Sequence, residues 1–167
     1  MRKLKIYLDS SLLAYAHAGD HPEKRDITLE FLETYLKFYD VYISDLILAE
    51  IEVCQNTRLK SKLLDIVKNF SINLLEIKKE DRNEIFSLAK SYVSHDMIPA
   101  EKYDDSIHLA LCTLYDFDVF LSWNFKGISN LQKQILINNI NKEHGYLKDI
   151  YLLNPMEVIF EIEENNL

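Results

Sequence analysis

Carboxylates stand at three places in the chain where an apolar pattern stops or is interrupted. Leu4, Ile6 and Leu8 alternate with Lys3, Lys5 and Tyr7, the period of a half-buried strand, and the run ends on Asp9. Farther on, Leu46, Ala49, Val53 and Cys54 form an apolar stripe at helical spacing, which predicts a face turned to the core. Glu50 falls within that stripe, while Glu52 points away. Asp104 and Asp105 open a segment whose following residues, Ile107 to Leu114, are almost wholly apolar. A carboxylate on an apolar face is costly unless it is paired or bound to a cation. Asp9, Glu50 and Asp105 together make an all-oxygen donor set, which suits Mg²⁺ or Mn²⁺ and not zinc. A cation of that kind lowers the pKa of a bound water and neutralises charge on a phosphodiester during in-line attack.

Each acid also has a plainer reading. Asp9 would cap a helix starting at Ser10 or Ser11, Glu50 would reach water from a rim, and one of Asp104 and Asp105 would favour the positive end of a helix dipole. His108 lies three residues after Asp105 and four after Asp104, on a neighbouring helix face, from which it either orients a carboxylate or packs as a core histidine. His17 and His21 share helical spacing, but Pro22 ends that segment and nothing nearby completes a site. Arg58, Lys60 and Lys62 form the densest basic cluster, either a guide for an RNA backbone or a solvated helix face. Trp123 and Phe125 flank Asn124, where an aromatic ring stacks on a base or packs into the core.

Strand patterns over 4–8, 41–43, 71–77, 117–123 and 149–153 alternate with helical ones. The helices are expected over 10–19, 27–39, the stretch after Ser44 or Asp45, 58–69, 80–94, 103–115, 131–141 and the residues after Pro155. Strands separated by helices require right-handed crossovers, so the expected fold is one α/β/α three-layer sandwich on a mostly parallel sheet of about five strands. The domain is expected over 1–160, with 161–167 a polar C-terminal tail. In such a fold ligands gather beyond the carboxyl ends of the strands, the edge where Asp9 stands.

Composition narrows the field. The 167 residues suit a single domain, and 48% hydrophobic content is enough for a real core. Only 3 Gly and 3 Pro are present, so no glycine-rich phosphate loop can be written. Cys54 and Cys112, the only cysteines, are too few for a disulfide framework and are read as buried thiols in apolar helices. With 19 basic and 27 acidic residues the formal charge is −8, which counts against a passive nucleic-acid coat but not against an enzyme that meets phosphate through a cation. The N-terminus lacks an apolar signal core and no stretch is long enough to span a bilayer, so a soluble cytoplasmic protein is expected. Asp9-Ser10-Ser11 is not the D-x-D of an aspartyl-phosphate phosphatase, and the acidic pair and later lysine of a receiver domain are also missing.

The segments YLDSSLLAYA, SDLILAEIE, PAEKYDDSIHLALC and FLSWNFKGI resemble, in order and interval, the four motifs of PIN-domain nucleases. The closing IYLLNPMEVIF is similar to the last strand and helix of those domains. Within the family, the chain resembles the single-domain prokaryotic branch to which VapC-type ribonuclease toxins belong. The resemblance implies that Asp9, Glu50 and Asp105 hold Mg²⁺ or Mn²⁺ and that the substrate is RNA, cut to leave a 5′-phosphate and a 3′-hydroxyl. Asp104, Ser10 and His108 would support. Asn124 stands where the family has a fourth acid, and an amide there coordinates or orients water without bringing charge. A small antitoxin partner and a homodimer are implied by the same branch, and the segment 129–147 reads as extra length. The rival reading, motivated by Asn124 and the charge of −8, is a PIN-like scaffold that binds RNA or protein with little or no cutting.

Overall fold

A computed structural model describes residues 2–124 and 127–165, the side chains of 127–130 excepted. Five strands alternate with eight α-helices along the described chain. They are β1 (Lys5–Leu8), α1 (Ser10–Tyr15), α2 (Pro22–Glu30), β2 (Asp40–Ser44), α3 (Asp45–Glu52), α4 (Thr57–Asn69) and β3 (Asn73–Leu75). Then follow α5 (Arg82–Ser94), α6 (Tyr103–Leu114), β4 (Val119–Leu121), α7 (Gly127–Glu143), β5 (Tyr151–Leu153) and α8 (Pro155–Asn165).

All strands run parallel in the order β3-β2-β1-β4-β5. The register pairs Ile6 with Val41 on one side and with Val119 on the other, so β1 is the central strand. Its residues Ile6, Tyr7 and Leu8 are fully buried, as a parallel strand covered on both faces must be. From β1 the chain proceeds outward through β2 and β3, then returns to place β4 on the opposite side of β1. The winding reverses between β1 and β4, which opens a crevice at their carboxyl ends. Asp9 follows β1 directly there, and Ser122 follows β4.

Local chemistry sets the helix boundaries. Pro22 occupies the first turn of α2, where its missing N–H costs nothing, so the helix begins five residues earlier than the expected 27. It continues through a π-type turn, Phe31–Tyr35, and a 3-10 turn, Leu36–Phe38, which together bury Phe31, Leu32, Tyr35 and Leu36. The expected helix over 10–19 stops at Tyr15. Asn56 caps α4 by accepting a 3.0 Å bond from the Leu59 amide. The strands expected at 71–77 and 117–123 shrink to Asn73–Leu75 and Val119–Leu121. The first is an edge strand with only one neighbour to pair with.

α5 packs on α6 and α7, while α2 packs on α1 and α8. The segment 129–147 is built into the domain: Asn138 brackets the backbone of Ile150 with bonds of 3.0 and 2.9 Å, and Asn141 meets Tyr92 and Thr113. The polar tail expected from 161 is instead helical to Asn165, and Glu163 accepts a 2.8 Å bond from Tyr35. Ile162 packs on the core, which explains why the helix persists into an acidic sequence. No helix of the described residues is long and apolar enough to cross a membrane.

Candidate active site

Asp9 is the first residue beyond β1, and its amide donates 3.0 Å to the Leu121 carbonyl of β4, so the sheet itself positions it. It stands at the N-cap position of α1, yet its side chain makes no capping bond. The carboxylate is 2% exposed and turns to three side-chain donors instead. Ser11 Oγ at 2.8 Å, Ser122 Oγ at 2.7 Å and Asn124 Nδ2 at 3.3 Å all reach Oδ2. Among the described residues Oδ1 has only Ser10 Oγ, at a long 3.5 Å. Among these residues one oxygen is therefore fully committed and the other loosely held.

Glu50 departs from the sequence expectation. The buried face of α3 consists of Ile47 and Ile51, not Leu46, Ala49, Val53 and Cys54. Val53 is 77% exposed. Leu46, Ala49 and Val53 of the apolar stripe line an open hollow of about 740 Å³, bounded by α3, α5 and α6 and reached also by Ile77, Phe86 and Ile107. Glu50 stands at its rim, 41% exposed at the side chain. A second hollow of about 310 Å³, lined by Ser10, Ser11, Cys54 and Leu63, meets Glu50 from its other side. Cys54 is thus half-buried rather than a core thiol, whereas Cys112 is buried as expected.

His108 is 3% exposed and does not turn to Asp104 or Asp105. Its Nε2 lies 2.7 Å from Glu50 Oε1 and its Nδ1 2.6 Å from the hydroxyl of Tyr7, which shares a 2.8 Å bond with Ser44 Oγ. Both ring nitrogens are satisfied. Burial alone would disfavour the charged imidazole, but the Glu50 bond and the charges of Glu50, Asp9 and Asp105 outweigh it and hold the ring above its ordinary value. Glu50 Oε2 makes no hydrogen bond among the described residues, so this carboxylate too has one anchored and one free oxygen.

Asp105 lies in the first turn of α6, half-buried, while Asp104 beside it is exposed and lines the larger hollow. Burial first, and then the charge of Asp9, push the Asp105 carboxyl above its usual value; Lys102 and His108 pull it back, and Glu50 adds to the push. Asp105 therefore feels the charges of Asp9 and Glu50 across the crevice. Among the described residues no three His, Cys, Asp or Glu side chains stand close enough to hold one metal ion. The donor chemistry still fits a hard divalent cation, because the donors are carboxylate oxygens and, among the described residues, Asp9 Oδ1 and Glu50 Oε2 have no close donor.

The other sequence candidates lie elsewhere. Trp123 is buried, its Nε1 donating 2.9 Å to Thr28 Oγ1, with Tyr15 edge-on and the Lys24 ammonium over its ring. Phe125 lies outside the described residues. Arg58, Lys60 and Lys62 sit on α4, and Lys60 is tied to the carboxylate and carbonyl of Glu52, at 3.0 Å each. Tyr7, Ser44 and Ser122 escaped the sequence reading, and only their positions at the carboxyl ends of strands could have flagged them.

Comparison with known proteins agrees with this fold. The model of the PIN domain family matches residues 6–125, well over half of the chain. The chain belongs to the PIN domain family. PIN domains are generally nucleases, and PIN nucleases generally use divalent metal ions. Among solved structures, VapBC2 from Rickettsia felis, bound to a DNA fragment from their promoter, holds a chain of the same fold. That chain superposes with a TM-score of 0.58 at 15% identity, covering 90% of this PIN domain and 98% of its own length. No curated protein matches the chain.

Proposed function

We propose that this PIN domain is a divalent-cation-dependent endoribonuclease of the cytoplasm. Asp9, Glu50 and Asp105 are its metal acids, with Asp104, Ser10, His108 and Asn124 in support. The observation that supports the reading is the pair of half-committed carboxylates: among the described residues Asp9 and Glu50 each have one oxygen held by close protein donors, while Asp9 Oδ1 meets only Ser10 Oγ at 3.5 Å and Glu50 Oε2 meets no donor. Protein-held acids with an open oxygen are rigid ligands, and rigidity of the ligands is what a cation site needs. When bound, Mg²⁺ or Mn²⁺ supplies charge neutralisation at the phosphodiester and an activated water. Ser11, Ser122 and Asn124 keep Asp9 oriented, and His108 keeps Glu50 oriented. The hollows on either side of Glu50 give a nucleic-acid strand a path past this acid, with Arg58 and Lys62 of α4 available to its phosphates.

RNA is preferred as substrate because the four motifs resemble those of VapC-type ribonuclease toxins. The likeness of fold to a VapBC2 chain supports the same branch, and with it a small antitoxin partner and a homodimer. The test is cleavage of a mixed structured RNA in Mn²⁺, Mg²⁺ or EDTA, beside Asp105→Asn. Metal-dependent cutting that disappears in the variant is expected; cutting that survives it points to a contaminant and removes the assignment. Arrest of bacterial growth on expression is expected of a toxin, and undisturbed growth counts against that part.

One observation favours a second reading, a scaffold with little or no activity. At the position of the family's fourth acid, Asn124 presents an amide N–H to Asp9 and contributes no charge. A scaffold has no need of a cation, so Mn²⁺ binding at micromolar to millimolar concentration separates the two.

A further inference from the structure

His108 joins the acid at the rim of the crevice to the interior of the sheet. It is carried by α6, Glu50 by α3, Tyr7 by the central strand β1, and Ser44 by the end of β2. Four side chains from four elements form one unbroken line: Ser44 Oγ, 2.8 Å, Tyr7 hydroxyl, 2.6 Å, His108 Nδ1, and then Nε2, 2.7 Å, Glu50 Oε1. Tyr7 and Ser44 are fully buried, so water is not available to take the place of either partner. Ser44 also stands at the N-cap position of α3 yet makes no capping bond, which leaves its hydroxyl to the tyrosine. Tyr7 is held flat against Phe120 and edge-on to Phe117, with ring centroids 5.8 and 5.5 Å away.

We propose that Tyr7 and Ser44 are positioning residues for Glu50, acting through His108 as a buried tautomer lock. The inference rests on the metal-nuclease reading only in giving Glu50 a cation to meet. With the imidazole neutral, as at high pH, one arrangement of protons satisfies all four groups. Ser44 donates to the tyrosine oxygen, the tyrosine O–H donates to Nδ1, and Nε2–H is left to donate to Glu50. The reverse tautomer sets the Nε2 lone pair against a carboxylate. Asp9 is aimed by hydroxyls along its own sheet edge, whereas Glu50, on a half-exposed helix, has among the described residues only this line to hold it. Outer partners of this kind typically set metal affinity by about 10–100-fold.

Two measurements on the full chain test the proposal. The first is ¹⁵N NMR of the imidazoles in metal-free protein at pH 9. His108 is expected as a single Nε2–H tautomer with that proton protected from exchange, and Tyr7→Phe is expected to mix the tautomers. An Nδ1–H ring, or an unchanged spectrum in Tyr7→Phe, overturns the lock whatever the protein does with metals. The second is Mn²⁺ titration calorimetry, with thermal unfolding in EDTA as the check on folding. Tyr7→Phe is expected to weaken Mn²⁺ binding about 3–10-fold and His108→Ala about 10–100-fold. His108→Gln, which keeps a donor near the Nε2 position, is expected to recover most of the loss. Equal Mn²⁺ affinity in all folded variants overturns the positioning role. Absence of Mn²⁺ binding in the parent protein, with the tautomer as expected, removes the metal reading and leaves the lock standing.

Discussion

Ser122, the residue after β4, donates a 2.7 Å hydrogen bond to Oδ2 of Asp9, the residue after β1. The two are 113 positions apart and meet because β1 and β4 are neighbours in the sheet. Ser122 is fully buried and also accepts the Asn124 amide at 3.0 Å, so one hydroxyl orients the first acid and the loop that carries the amide.

Replacing Ser122 by Ala removes both bonds and leaves a buried carboxylate short of a donor. We expect a folded protein destabilised by about 1–3 kcal/mol, with metal affinity or cleavage lowered about 10–100-fold. Urea unfolding beside Mn²⁺ titration measures both. Unaltered metal binding in the folded variant would show that Ser122 serves packing alone.

Asn124→Asp tests whether the missing fourth charge limits the site. In EDTA a second carboxylate beside Asp9 Oδ2 replaces a donor with a like charge, and the melting temperature should fall by roughly 2–4 °C for about 1 kcal/mol. Mn²⁺ should more than restore it and should raise the cleavage rate. A melting temperature that falls in EDTA and does not respond to Mn²⁺ favours the scaffold.

Asp118 is expected to contribute to the acid sensitivity of the fold. It accepts from both terminal nitrogens of Arg2 at 2.8 Å, from the Lys5 amide at 2.7 Å and from the Lys148 ammonium at 3.0 Å. Burial pushes its carboxyl up, but these donors win and hold it well below the usual carboxylate range. A lowered folded-state value means stability that is complete above the unfolded value of about 3.9 and is lost as pH falls towards the folded one. Asp118→Asn should therefore cost about 1–3 kcal/mol at pH 7, with the gap to the parent shrinking below about pH 4. Urea midpoints at pH 7 and pH 3 decide it; a gap independent of pH excludes the charge as its origin.

Trp123→Phe separates packing from base stacking. A six-membered aromatic ring is kept, but the pyrrole half of the buried indole and the bond from Nε1 to Thr28 are lost, and we expect about 1–3 kcal/mol of destabilisation with RNA cleavage kinetics unchanged. A rise in KM without loss of stability would restore the stacking role.

The β/α alternation was legible because strand and helix periods differ, and a parallel sheet leaves every strand end pointing to the same edge. Asp9 could be placed there from the sequence because the apolar alternation of β1 stops at it, and Asp105 because it opens an apolar helix. What an apolar stripe faces is not a local property. Leu46, Ala49 and Val53 carry helical spacing whether they meet a core or an open hollow, and only the placing of α5 and α6 beside α3 decided for the hollow. The partner of His108 was hidden for the same reason: Asp104 and Asp105 are its neighbours along one helix, but Glu50, 58 residues away, is its neighbour in space. The sequence by itself determined the alternation of strands and helices and the place of Asp9 at the end of β1, because these follow from short-range periodicity, and it carried the family motifs as a resemblance. The tertiary structure alone decided which oxygen of Asp9 and Glu50 is held and by what, because donors such as Ser122, His108 and Tyr7 are brought in by the order of strands in the sheet.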